Sequence, residues 1–148
     1  GVMRIEKGHA AGNELTGQTT AANLGMGRMV SKKKDCIGNT LSERPELNRD
    51  DGLRLVGFRP VNRAEALTSG AHFIAPGKST VMDNDEGWMS SVTFSPELGH
   101  SIGIGFIKQG HERLGEVVRA VDLVRGKDIE VEIVSAHFID PEGERLRV

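Results

Sequence analysis

From residue 53 onward, apolar and polar positions alternate with a period of two, the mark of strands with one buried face. Leu53, Leu55 and Gly57 alternate with Arg54, Val56 and Phe58, and Pro60 closes that run. A short apolar run at Gly70–Ile74 predicts a second strand, and turns at Pro76-Gly77 and Asp83-Asn84-Asp85 flank Val81 and Met82. Trp88, Ser90, Val92 and Phe94 then alternate with Met89, Ser91 and Thr93. Ser95-Pro96-Glu97-Leu98-Gly99 reverses the chain, because proline fixes φ and glycine accepts a positive one. Ile102, Ile104 and Phe106 resume the alternation, with Gly103 and Gly105 on the opposite face, where glycine marks close backbone approach, a bulge or a barrel corner. Val117, Val118, Val121 and Leu123 give a further strand. Arg125-Gly126-Lys127 turns the chain, and Ile129, Val131 and Ile133 alternate with Glu130 and Glu132. Ala136 to Pro141 ends the sheet in another turn. About six short strands with turns between them predict a mainly β domain, a six- or seven-stranded antiparallel barrel or jelly roll.

The first 50 residues have a different texture. Val2–Lys7 stops at Gly8 and reads as the end of a helix. Gly12, Asn13 and Gly17 predict a loop, and Thr16, Thr19 and Thr20 can cap a short turn around Ala21-Ala22-Asn23. Leu24–Val30 is apolar but glycine-rich and reads as a strand, Lys32–Asp35 as a basic turn, and Ile37–Arg44 as one or two helical turns ended by Pro45. Pro45–Gly52 is polar and rich in turn residues. This organisation places a truncated α+β segment at 1–50 and a β-barrel domain at 51–148. The chain starts inside a patterned segment, as a piece of a longer protein would.

Composition narrows the functional classes. Over 148 residues, 37% are hydrophobic and 27% charged, a globular balance for one ordinary domain or one small domain plus part of another. A net charge of −2 and only 4% aromatic residues, with no Tyr, argue against a nucleic-acid partner. No apolar run reaches the ~20 residues of a membrane span, and no signal-peptide core is present. The single Cys36 has no partner for an internal disulfide, which points to a reducing cytoplasm.

Few residues stand out chemically. The five histidines lack H-x-H or H-x-x-x-H spacing, so no metal site is expected. His72 and His137 read as hydrogen-bonded strand residues, His100 and His111 as solvated turn residues, and Cys36 as a small buried one. Gly25-x-Gly27 and Gly103-x-Gly105 lack the third glycine and following helix of a dinucleotide fingerprint. Lys32-Lys33-Lys34 is either a solvated turn or a holder for a polyanionic tail. Glu6 is either a surface carboxylate paired with Arg4 or Lys7, or a cleft group. In the second case it can accept parallel hydrogen bonds from an amino-pyrimidine edge such as that of a pterin.

Met3-Arg4-Ile5-Glu6-Lys7-Gly8 resembles the R-x-E-x-G motif of the aminomethyltransferase family, the T-protein of the glycine cleavage system and its relatives. Lys33–Gly38 is similar to that family's basic, Asp, aromatic, Ile/Val, Gly segment, except that Cys36 stands at the aromatic position. Leu55–Phe58, Gly87–Pro96, Ile102–Gly105 and Phe138–Pro141 resemble its C-terminal barrel. Within the family, Gly1–His9, Ala11–Gln18 and Gly27–Asp35 look most like the branch that ends the alpha subunits of heterotetrameric sarcosine oxidases.

This resemblance implies tetrahydrofolate as the cofactor, with Glu6 on the pterin and Lys33 or Lys34 near the folate. The family's catalytic aspartate lies upstream and has no match here, so no catalytic residue is assigned and the piece alone is expected to be inactive. The implied whole enzyme oxidises sarcosine with O2 to glycine and H2O2. The one-carbon unit leaves as formaldehyde or as 5,10-methylenetetrahydrofolate. FAD, FMN and NAD are expected in other regions, and the other subunits of a hetero-oligomeric oxidase as partners. A glycine-cleavage aminomethyltransferase working with a lipoyl carrier, and a non-catalytic docking barrel, are the alternatives.

Overall fold

The computed structural model describes residues 1–147. Six strands form a closed antiparallel barrel: β1 (Leu53–Pro60), β2 (His72–Ile74), β3 (Asp85–Ser95), β4 (His100–Lys108), β5 (Val117–Asp122) and β6 (Lys127–Val134). Their order around the barrel is β1-β4-β3-β2-β5-β6, and β6 pairs back onto β1 through Gly57↔Val134 to Pro60↔Val131. Ser95–Gly99 is the β3–β4 turn, closed by Gly99 N–H donating to the Ser95 carbonyl at 2.9 Å. The β5–β6 turn is closed by the buried Asp122 carboxylate, which accepts from the Val124 and Arg125 amides and from the Arg125 guanidinium. That Arg125 contact, with the amide bond, holds the Asp122 carboxyl below the usual carboxylate range.

Inside the barrel, Val56, Phe58, Phe73, Met89, Ile107, Val118, Ala120, Ile129, Val131 and Ile133 pack as one core. Phe58 and Phe73 stack at its centre with ring centroids 4.0 Å apart. The alternation in β6 survives unchanged, with Ile129, Val131 and Ile133 inward and Glu130 exposed. A second cluster lies on the outer face of β1 and β4, where Ile5, Leu55, Ile102, Ile104 and Phe106 are joined by Leu24, Trp88 and Phe138. The N-terminal segment therefore covers one side of the barrel, which is why β4 is buried on both faces.

β3 departs from simple alternation. Met89 pairs with Gly105 but Ser91 with Ile104, so Ser90 is an extra residue, a β-bulge. Met89 and Val92 thus reach the same core, while Trp88 packs on the outer cluster and Phe94 is exposed. The expected single face of Trp88, Ser90, Val92 and Phe94 is split by that bulge. Gly105 lies opposite it, and a Cβ there would come within 2.4 Å of the Trp88 carbonyl oxygen. Gly105→Ala is expected to destabilise the domain by about 1–3 kcal/mol through forced backbone displacement, read as a lowered midpoint in thermal unfolding.

The N-terminal segment carries α1 (Val2–Glu6), α2 (Asn39–Ser42) and a 3-10 turn at Gly27–Met29. Gly8 stops α1 with φ of 73°, the left-handed conformation that glycine adopts after a helix. Thr20 and Asn23 cap their turn through Thr20 N–H to Asn23 Oδ1, 2.7 Å, and Asn23 N–H to Thr20 Oγ1, 3.3 Å. The strand expected at Leu24–Val30 does not form. Its glycines allow a tight turn, and the Leu24 and Met26 amides bond back to Thr20 and Ala21. Cys36 is half-buried in an exposed segment, because its neighbour Ile37 and the preceding lysines face solvent rather than a core. No helix among the described residues is long and apolar enough to cross a membrane.

Candidate functional site

α1, at five residues, is too short to hold its own geometry, so tertiary bonds fix where its side chains go. The Glu6 carbonyl accepts from the Phe138 and Ile139 amides at 2.9 and 3.1 Å. Its carboxylate Oε1 accepts from Ser95 Oγ at 2.6 Å, and Oε2 takes no donor among the described residues. Glu6 pairs with neither Arg4 nor Lys7. Arg4 turns to Glu14, and Lys7 donates to the Asp140 carbonyl with its carboxylate 3.6 Å away.

Met3, Arg4, Glu6, Lys7, His9, Glu97, Ile139, Asp140 and Arg145 line a cleft of about 540 Å³ between α1 and the C-terminal segment. That size is ordinary for a small-molecule site. Met3 and Ile139 give it apolar walls, and Glu6 presents a carboxylate with acceptor capacity to spare. Chemically the cleft can take a flat, partly apolar molecule with an N–H edge.

Lys33 and Lys34 are not brought to this cleft. Both are exposed on the segment before α2, and neither lines it. His137 Nδ1 sits 2.8 Å from the Lys7 carbonyl, a structural bond as its strand-end position predicts. His100 Nδ1 bonds the Ser101 carbonyl at 2.8 Å and is half-buried, while His111 is exposed. His72 pairs with Asp85 at 2.8 Å on the rim of a second, apolar cleft beside β2 and β5. Among the described residues, no cluster of three or more His, Cys, Asp or Glu side chains could hold a metal ion.

Sequence reasoning passed over Glu14, which is fully buried. Its Oε1 accepts from Ser90 Oγ and Ser91 Oγ, each at 2.6 Å. Its Oε2 accepts from the Ala11 amide at 2.8 Å and from Arg4 Nη1 at 3.1 Å. Consecutive residues of a regular strand point to opposite faces, so both serines reach one carboxylate only because of the bulge at Ser90. Burial pushes the Glu14 carboxyl up, but the Ser90, Ser91 and Ala11 hydrogen bonds and the Arg4 charge together hold it below the usual carboxylate range. Among the signals in the sequence, none marks Glu14: its neighbour Leu15 is the more apolar residue, yet Leu15 is 57% exposed.

A family profile described as the glycine cleavage T-protein C-terminal barrel domain matches residues 54–140. Sarcosine oxidase subunit alpha from Rhizobium meliloti strain 1021 is 36% identical over 99% of the chain, which spans 15% of that protein. The protein of that name from Corynebacterium sp. strain P-1 is 36% identical over 97% of the chain, again 15% of its own length. An aminomethyltransferase from Thermosipho melanesiensis is 29% identical over 86% of the chain and is covered over 32% of its length. Among solved structures, the glycine cleavage system aminomethyltransferase T from Bartonella henselae superposes with a TM-score of 0.68 at 20% identity. That likeness covers 95% of this chain and 38% of the other, and it concerns the fold alone.

Proposed function

Because the chain belongs to the glycine cleavage T-protein C-terminal barrel family, we propose that it is the tetrahydrofolate-binding, one-carbon-transfer portion of a sarcosine oxidase alpha subunit. The chain spans about 15% of the length of those alpha subunits, so the reaction belongs to the whole protein. Residues 1–50 are then the end of the folate-binding domain and residues 51–148 its barrel. The observation that carries this reading is Glu6, set in the wall of the cleft with Oε1 steadied by Ser95 and Oε2 open to a donor.

In this reading the Glu6 carboxylate accepts the N–H and amino edge of the pterin as paired charge-assisted bonds. Oε1 has a second lone pair and can keep Ser95 while doing so. Met3 and Ile139 offer apolar surface to one face of the ring. Bound tetrahydrofolate supplies the nitrogens that capture the one-carbon unit. Lys33 or Lys34, exposed ahead of α2, would reach the anionic tail of the folate in the complete protein. Flavin oxidation of sarcosine, with O2 going to H2O2, takes place in other regions and subunits.

Glu6→Gln puts an N–H₂ group where the pterin donates. Loss of a charge-assisted pair is worth about 1.5–3 kcal/mol, or roughly 10- to 100-fold in affinity. Calorimetric titration of the complete gene product with tetrahydrofolate measures it. An unchanged Kd would remove the reading. Product analysis separates the second reading, which the similarity to aminomethyltransferases favours: peroxide with 5,10-methylenetetrahydrofolate marks the oxidase, ammonia the transferase. A docking barrel without chemistry would show no folate affinity in the complete protein.

A further inference from the structure

We propose that Glu14 is a positioning residue that sets Glu6 in the cleft, acting through Arg4 and the bulge of β3. The proposal rests on the reading of Glu6 as the pterin contact. Glu14 is not itself a ligand-binding group. Four protein donors occupy its two oxygens, and a carboxylate has about four lone-pair sites to give. Arg4 is similarly committed: Nη1 donates to Glu14 and to the His9 carbonyl, and Nη2 to Ser91 Oγ at 2.9 Å. Although Arg4 borders the cleft, its guanidinium is a strut within the protein.

The geometry ties α1 to β3 at each end of a short span. Arg4 bonds Ser91, and Glu6, two residues on, bonds Ser95 on the same strand. Glu14 locks the first tie, because it holds Arg4 and both bulge serines at once. Without Glu14, the Arg4–Ser91 bond loses the carboxylate that fixes both partners. Ile5 and the Glu6 carbonyl bonds still hold α1 to the barrel, but the Glu6 carboxylate gains play against Ser95. Displacements of about 1 Å at a binding or reacting group can cost on the order of a hundredfold, so a loose Glu6 carboxylate is a weak pterin site.

The test uses the complete gene product and its Glu14→Gln, Glu6→Gln and double variants, with Ser91→Ala as a milder lesion. Tetrahydrofolate Kd is measured well below the unfolding temperature of each. Positioning predicts about a tenfold loss for Glu14→Gln, a smaller loss for Ser91→Ala, and less than a twofold further loss when Glu6 is already Gln. An equal loss in both backgrounds, or a lowered Tm with unchanged Kd, would make Glu14 merely structural and overturn the proposal. Amide exchange of Phe138 and Ile139, whose N–H groups bond the Glu6 carbonyl, reports the placement of Glu6 without folate. Exchange there should quicken at least tenfold in Glu14→Gln while β5 and β6 stay protected, and an unchanged rate overturns the proposal. If Glu6→Gln alone leaves Kd unchanged, the folate reading fails and the exchange rates alone decide the placement of Glu6.

Discussion

Glu14→Leu is expected to lower the stability of the domain by about 2–3 kcal/mol, short of the about 3–5 kcal/mol for breaking a fully buried ion pair because the Arg4 partner is partly exposed. The leucine would fill the space but leave the Ser90 and Ser91 hydroxyls buried with fewer partners, and strand the Arg4 guanidinium against them. Denaturant unfolding followed by the fluorescence of Trp88, the single tryptophan, measures the loss two residues from Ser90. The same carboxylate gives the stability a pH dependence of known sign. Its folded pKa lies below its unfolded value of about 4.3, so the unfolded state binds the proton more readily. The contribution is fully present above that value and is lost as pH falls through the lower folded one. The stability difference between the native domain and Glu14→Gln should therefore shrink on acidification below about pH 4.3, and a difference that grew instead would contradict this assignment.

Phe58→Ala is expected to cost about 3–5 kcal/mol, from lost transfer free energy and the cavity left behind. Phe58 is fully buried and its ring stacks on Phe73, a pair geometry that adds about 0.5–1.5 kcal/mol to simple burial. The position matters as much as the area. β1 bonds both β4 and β6, so Phe58 sits on the strand that shuts the barrel. Phe58→Leu, which keeps most of the volume, should lose far less. Equal losses for the two variants would show that the ring stack and cavity are not what the core depends on.

The β-strands were legible because their alternation is strong and their turns carry Gly, Pro and Asp at the required places. β6, with Ile129, Val131 and Ile133 against Glu130 and Glu132, is read straight from hydropathy. β4 is harder: Ile102, Ile104 and Phe106 face outward into the second cluster, and glycines line the inner side. Alternation gives the period and not which face is inside, so a strand covered on both faces hides its orientation. The bulge at Ser90 is invisible to a period-two pattern because it is a change of phase inside one strand. Leu24–Val30 misled because Leu24 packs on the outer cluster while the backbone bonds back on itself, so apolar character there marks a docked turn rather than a strand.

The role proposed for Glu6 comes only from its motif, since nothing local distinguishes it from other surface glutamates. Glu14 was not legible at all. Its burial depends on Arg4, Ser90 and Ser91, and the serines are more than 70 residues away in the chain. Pattern reasoning sees neighbours in sequence, whereas a buried carboxylate is defined by neighbours in space.

The pairing of β6 with β1 has a consequence for how this domain can meet other proteins. A sheet with free margins exposes rows of backbone donors and acceptors onto which another chain can add a strand. Here every strand of the described residues has a neighbour on each side, so no strand offers a wholly free margin for that mode of association. Any protein that docks on this domain would chiefly recognise side chains and loops, whose identity can diverge without disturbing the barrel. The ring of strands can thus stay constant while its contact surfaces are rewritten, one relative at a time.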